Sequence, residues 1–289
     1  MCGMATSPDP KVLKIQIGIE LRRLRENAGR TAAEAAEVLG GAVPKISKIE
    51  NGKQAATPEE VETLSDFYGA PAKRRKYLTG LATQVPKRSR RQTMYRDAVP
   101  DWFQHFLALE SDASEIYNYE LETVTGLLQT EDYARSTIRN WEPAADPRLI
   151  ESQVQTRMQR QAILRKPSRL QALDMVVSEA ALRRIQGSRE IMRAQLHHLL
   201  DLSEHPKVEL RVMPFEAASR ITVLSSFTLF QLAQQELSAV YLEDILGATY
   251  LWEPNEYTRY SVVYGRLRAA ALPPSESRDL IYKVATSYQ

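Results

Sequence analysis

The sequence has little of what most often builds a reactive or a stapled site. It holds one cysteine, Cys2, and four histidines in 289 residues. One cysteine excludes an intramolecular disulfide framework and any cysteine-rich zinc site, and it suits a reducing cytoplasm. The histidines are His105, His197, His198 and His205. His197 and His198 are adjacent, so they leave one helix in different directions and cannot share a metal in the i, i+4 manner. No apolar run approaches the roughly 18 residues of a membrane span, and residues 1–11 lack the apolar core of a signal peptide. The glycine-rich phosphate loops and the G-x-S-x-G elbow are absent as well. These absences predict a soluble, cytoplasmic protein with no metal, no cofactor and no membrane contact.

What is present is ordinary globular material, 43% hydrophobic and 26% charged. The length predicts two domains. The net charge of +2 hides an asymmetry. Residues 1–95 carry 17 Lys+Arg against 10 Asp+Glu, a net +7, and the remainder nets −5. A basic first third on a mildly acidic body is the electrostatic pattern of a nucleic-acid-binding module joined to a second domain.

The first third reads as short helices. Leu13, Ile17, Leu21, Leu24 and Ala28 recur at helical spacing, and Gly29 stops them. Thr31 with Glu34 has the form of a capping box that opens a second helix, with Ala35, Ala36 and Leu39 on its inner face. Gly40 and Gly41 break it. A third helix follows from Val43 to Glu50 and ends at Asn51-Gly52. Burial of Ile46 and Ile49 is expected to leave Lys45, Ser47 and Lys48 pointing outward. Thr57 and Pro58 start a fourth helix, and Pro71 a fifth. Two short helices joined by a glycine turn are the helix-turn-helix unit.

The ordered motifs LRRLR at 21–25, TAAEAA at 31–36, ISKIENG at 46–52 and Pro58 resemble the lambda-repressor-like (XRE-type) DNA-binding domain. The resemblance covers about residues 12–70. It implies that the third helix enters the major groove, with Val43, Pro44, Lys45, Ser47 and Lys48 facing base edges and phosphates. Thr31, at the start of the second helix, is a further candidate DNA contact. Asn51, Gly52 and Lys53 would offer backbone N–H groups and a cation to phosphate. It also implies a structural ion pair between Arg25 and Glu50. The sequence departs from the pattern at Ala32 and Val43, where many members carry Gln. Val43 offers only apolar contact, for instance to a thymine methyl.

Two basic clusters follow, KRRK at 73–76 and KRSRR at 87–91. Arg88, Arg90 and Arg91 are candidate phosphate contacts on a linker, which would steepen salt dependence without adding sequence preference.

Residues 102–289 read as α, then β-α-β-β-β, then α: an α+β domain on a small sheet. A helical pattern runs from Trp102 to Tyr119 with Trp102, Phe103, Phe106, Leu109, Ala113 and Ile116 as a packed face. A polar helix is expected over 148–165. Four strands are expected, over 170–177, 208–212, 227–232 and 239–242. Asp174, Glu179, Glu243 and Asp244 lie at strand ends, but solvated or ion-paired carboxylates are far commoner than a catalytic dyad, and no enzyme is expected.

The blocks GLLQTEDYAR (126–135), RQAIL (160–164), SEAALRR (178–184), QLHHL (195–199), VMPF (212–215) and VYLE (240–243) appear in this order. They resemble the C-terminal domain of a large group of actinobacterial XRE-type regulators. That resemblance implies a regulator classed as toxin–antitoxin-like, often encoded beside a small partner protein, and it assigns no functional residues.

The expected organisation is a flexible N-terminus (1–11), an all-α helix-turn-helix domain (12–82), a basic linker (83–101) and an α+β domain (102–289) for dimerisation and effector or partner binding. The expected function is a homodimeric, sequence-specific transcription regulator whose partner is double-stranded operator DNA. The alternative is an antitoxin-like protein that neutralises a small partner and binds DNA for autoregulation. A small-molecule effector fits the first reading.

Overall fold

The computed structural model describes residues 10–85, 99–165, 168–219, 221–232 and 237–288. The chain divides into two compact units, Met1–Met94 and Tyr95–Gln289.

Among the described residues the first unit is five helices: α1 (Pro10–Asn27), α2 (Ala32–Val38), α3 (Val43–Glu50), α4 (Pro58–Phe67) and α5 (Ala72–Thr83). Its core joins Leu13, Ile17 and Leu21 of α1 to Ala35 and Ala36 of α2, Ile46 and Ile49 of α3, Val61 and Leu64 of α4, and Leu78 and Leu81 of α5. Burial at i, i+4, i+8 along α1 is what turns one stripe of that helix inward. Both α2 and α4 begin in complete capping boxes, Thr31 with Glu34 and Thr57 with Glu60. Ala35 and Ala36 of α2 are buried and bring only a methyl group each to the core they share with α3.

The second unit is built on a six-stranded mixed sheet in the order β3-β2-β1-β4-β5-β6. The strands are β1 (Glu115–Glu120), β2 (Ala172–Ser178), β3 (Val208–Met213), β4 (Phe227–Leu232), β5 (Leu237–Asp244) and β6 (Gly247–Leu251). Strands β1, β2 and β3 are parallel neighbours, and β4, β5 and β6 continue antiparallel from the other side of β1. Parallel strands need crossovers. Helices α7 (Glu131–Trp141), α8 (Pro147–Arg160) and α9 (Ala162–Arg165) make the first, and α10 (Glu179–Arg183) with α11 (Arg189–Leu202) the second.

Helix α12 (Pro254–Ala270) covers one sheet face through Tyr264 and Leu267, which pack with Tyr119, Val176, Phe227, Leu229 and Val240. Helix α6 (Asp101–Asp112) covers the other, where the Phe106 ring lies 5.3 Å from that of Phe230 and 4.6 Å from that of Tyr241. Helix α13 (Pro274–Thr286) closes the β3 edge, where Val212 N donates to Ser277 Oγ at 2.9 Å and Leu272 N to Val212 O at 2.9 Å. These two bonds take the outward polar groups of Val212 and shorten the edge that β3 leaves for a further strand.

The α+β expectation matches this architecture, and three details are corrected. The helix expected over 102–119 stops at Asp112; Ser114 N donates to Gln231 O at 2.8 Å, and the chain turns into β1. Ile116 is therefore a strand residue that continues the helical spacing of Leu109 and Ala113 by coincidence. Among the described residues the sheet has six strands and not four: β1 follows straight on the helical spacing of α6, and β6 is five residues long with no alternation of burial. The helix expected over 148–165 breaks at Gln161, whose side chain donates to Gln129 O at 2.6 Å.

Candidate nucleic-acid interface

Helix α3 is held from below and bare above. Ile46 and Ile49 are each 1% exposed, whereas Val43, Pro44, Ser47 and Lys48 are exposed on the opposite side. Two glycines fix its C-terminal end against α1. A β-carbon on Gly18 would lie 2.3 Å from Ile49 O, and one on Gly52 would lie 2.7 Å from Ile15 Cγ1. Gly52 also has φ 65°, a conformation that costs a residue with a side chain.

Arg25 and Glu50 fasten the same end. Arg25 Nε and Nη2 donate to Glu50 Oε1 and Oε2 at 2.6 and 2.9 Å, and Arg25 Nη1 donates to Arg30 O at 3.0 Å. Only 13% of the Arg25 side chain and 8% of the Glu50 side chain are exposed. The hydrogen bonds that Arg25 donates to Glu50 hold its guanidinium pKa above the usual range against the opposing cost of burial. Tyr68 packs beside the pair, and burial with the Glu50 charge pushes its hydroxyl up to about 12.

The other residues singled out from the sequence divide into those that stay available and those already engaged. Lys48 and Lys53 are exposed and have no ion pair among the described residues. Lys45, expected to point outward, is drawn back into an ion pair with Glu60, the residue that completes the capping box of α4. No spacing in the sequence marks that pair, since the partners are joined only by the fold. Asn51 folds back over its own helix, its Nδ2 donating to Ser47 O at 2.7 Å. Thr31 Oγ1 accepts from Glu34 N at 3.2 Å, and its own N–H donates to Glu34 Oε2 at 2.7 Å.

The loop after α3 departs from expectation. The N–H groups of Gly52, Lys53 and Gln54 donate to Ile49 O and Lys48 O at 2.9, 2.8 and 3.1 Å. They are consumed in closing the helix, as the last carbonyls of a helix require. Of that loop, the Lys53 ammonium is the group left for an anion. Arg88, Arg90 and Arg91 lie outside the described residues.

The distribution of free charge is uneven. Each arginine between residues 10 and 85 has a carboxylate within ion-pair reach: Arg22 with Glu26, Arg23 and Arg74 with Glu20, Arg25 with Glu50, Arg30 with Glu34, Arg75 with Asp66. Cations without such a partner among the described residues include Lys48 and Lys53 around α3 and Lys73 and Lys76 on α5.

In the second unit the strand-end carboxylates hold the fold. Asp174 accepts from Tyr264 Oη and Arg268 Nε, both at 2.8 Å, and burial raises its pKa. Glu179 accepts from Arg183 Nε at 2.7 Å and from Phe215 N at 3.0 Å. Glu243 accepts from Tyr241 Oη at 2.6 Å, and Asp244 caps the β5–β6 turn through Leu246 N and Gly247 N. Each has its own structural partner. Among the described residues no helix is long and apolar enough to cross a membrane, and no group of three or more potential ligands could hold a metal ion.

A helix-turn-helix family model matches residues 16–78, and the model of a domain of unknown function, DUF5753, matches residues 103–283, more than half of the chain. The chain therefore belongs to the DUF5753 family and carries a helix-turn-helix domain. No curated protein and no solved structure matches it.

Proposed function

We propose that this member of the DUF5753 family is a sequence-specific, DNA-binding transcription regulator of the XRE type. One observation carries the reading: α3 presents exposed Val43, Pro44, Ser47 and Lys48 together, on a helix fixed from behind by Gly18, Gly52 and the Arg25–Glu50 pair. A rigid helix with a bare, cationic outer face is the element a major groove accepts. In this reading Val43, Pro44 and Ser47 meet base edges, Lys48 and Lys53 meet phosphate or base acceptors, and Thr31 and Asn51 shape the two ends. Lys45 joins only by leaving Glu60. Arg88, Arg90 and Arg91 add phosphate contacts.

A single domain of this size buries too little against DNA for specific affinity, so the working form is a homodimer on a pseudo-palindromic operator. The domain organisation is the helix-turn-helix domain, a basic linker, and a C-terminal domain that dimerises and binds an effector. The protein acts in the cytoplasm and catalyses no reaction. Selection of duplexes from a random pool by the full-length protein tests this. Two inverted half-sites about 10 bp apart, or a multiple of that, are expected; enrichment of no sequence counts against it.

The second reading is an antitoxin-like protein of actinobacterial type that neutralises a small partner encoded nearby. It is favoured by the end of the sheet where β5 turns into β6. There Ile245 and Leu246 are 83% and 95% exposed, and Leu224, just before β4, is 90% exposed. Apolar side chains gathered at one end of a sheet suit a protein partner. A stoichiometric complex with such a partner, lost on Ile245→Asp with Leu246→Asp, is its expected signature.

A further inference from the structure

The second unit holds an open cavity of about 570 Å³ where the end of α12 and the start of α13 meet β3. That volume lies in the range of small-molecule sites, roughly 300–1,000 Å³. Arg211 of β3, Gly265 and Arg268 of α12, and Glu276 in the first turn of α13 line it. Ala269 to Ala271 and Leu272 add small apolar surface.

The lining residues offer what the fold itself does not use. Gly265 lies inside α12, where glycine costs helix stability against alanine, yet a β-carbon there would meet nothing within 4 Å. No neighbour asks for a glycine at this point, and the side of the helix that it keeps bare lines the cavity. Arg211 is held by one nitrogen: its Nε donates to Glu209 Oε1 at 2.7 Å, and its two terminal nitrogens have no partner among the described residues. Arg268 donates to the same Glu209 oxygen from Nη2 at 2.6 Å and to Asp174 Oδ2 from Nε at 2.8 Å. Glu276 stands at the third position of α13, from which an acid closes a capping box by accepting the N–H of the cap residue. The cap here is Pro273, which has no N–H, and the Glu276 carboxylate has no partner among the described residues.

The charges select the ligand. Arg211 and Arg268 are balanced by Glu209 and Asp174, so a simple anion gains little, and Glu276 adds a negative charge to the wall. A molecule with both an acid and an amine suits this arrangement. We propose that the cavity binds a small amphoteric effector of the amino-acid class, its carboxylate on the terminal nitrogens of Arg211 and its ammonium on Glu276. The two terminal nitrogens of a guanidinium match the two oxygens of a carboxylate, and the hold on Nε sets their direction before the ligand arrives. The inference gives a place and a chemical class to the effector arm of the reading above, and it rests on that reading only for its consequence at DNA.

The test is calorimetry and thermal unfolding of the full-length protein without DNA, so that this site and the DNA reading can fail separately. The common amino acids are titrated singly, with sodium acetate and methylammonium chloride as carriers of one group each, against sodium chloride at equal ionic strength. Saturable binding of at least one amino acid with a rise in Tm, and of neither one-group salt, is expected. Glu276→Gln and Arg211→Gln should each weaken it about tenfold or more. Arg211 also holds Glu209, so a variant that does not depend on that contact is needed. Gly265→Leu puts a helix-favouring side chain into open space; its own Tm should hold or rise while binding is lost. No saturable binding of any amino acid, equal binding of acetate, or undiminished binding in Gly265→Leu or Glu276→Gln overturns the proposal.

Discussion

Gly18 and Ile49 set the distance between the first helix and the exposed third one: a β-carbon at position 18 would fall 2.3 Å from the Ile49 carbonyl oxygen. Glycine inside a helix costs about 1 kcal/mol against alanine in propensity alone, so the close crossing has to offset that. Gly18→Ala is therefore expected to destabilise the first unit by about 1–3 kcal/mol through overpacking and to displace α3 from its seat. Denaturant unfolding gives the first effect. DNA titration of the folded fraction gives the second, as a loss of affinity with no DNA-facing group removed.

Glu50 is expected to behave as scaffold. Glu50→Gln leaves Arg25 with only the exposed Glu26 carboxylate, 3.6 Å away, as counter-charge; breaking one side of a fully buried pair costs about 3–5 kcal/mol, which is the upper bound here. Replacing both, as Arg25→Met with Glu50→Leu, should recover much of the loss. Stability of the three variants, measured by urea unfolding, separates a pair that holds the fold from one that reads DNA. A Glu50→Gln protein as stable as wild type would sink this account of α3.

Lys45 and Lys48 differ in state although both belong to α3. Lys48 is free among the described residues, and Lys48→Ala is expected to reduce the slope of log K against log salt by about 1. Lys45 is tied to Glu60, so Lys45→Ala should change the slope less. Glu60→Gln keeps the form of the capping box, which Gln can complete, and releases Lys45. It should steepen the slope. Fluorescence anisotropy across a salt series distinguishes these outcomes, and equal slopes for the two alanine variants would contradict the assignment.

Stability should also depend on Glu120. Burial pushes its carboxyl from 4.5 up to about 7, against the hydrogen bonds from Asn118 and Ser226. The folded state then binds this proton more tightly than the unfolded chain. Its contribution is fully present below about pH 4.5 and is lost as pH rises through about 7. The stability of Glu120→Gln relative to wild type should accordingly improve across that window. A difference that stays flat between pH 4.5 and 8 would show that Glu120 titrates as an ordinary exposed carboxylate.

Much of the first unit could be read from the chain because its signals are local. The stripe Leu13, Ile17, Leu21, the capping residues Thr31 and Thr57, and the stops at Gly29 and Gly52 all act within a turn or two of themselves. In the second unit β3 announced itself by alternation, Val208, Leu210 and Val212 against Glu209 and Arg211. Strand β1 did not, since Ile116 prolongs the helical spacing of α6 and only pairing with β2 and β4 decides its form. Strand β6 is five residues long and is half-buried along most of its length, so no pattern marks it. The engagement of Lys45 by Glu60 is a product of tertiary packing and has no counterpart in spacing.

The central claim is that the outer face of α3 reads duplex sequence, and the most direct measurement is the affinity of the full-length protein for a selected duplex and for its scrambled version across a salt series. The account predicts a steep salt slope, a scrambled-site penalty of about 4 kcal/mol or more, and loss of most of that penalty in a Val43→Ala, Ser47→Ala, Lys48→Ala protein. Equal affinity for the two duplexes at every salt concentration, or a penalty untouched by the triple variant, would contradict it.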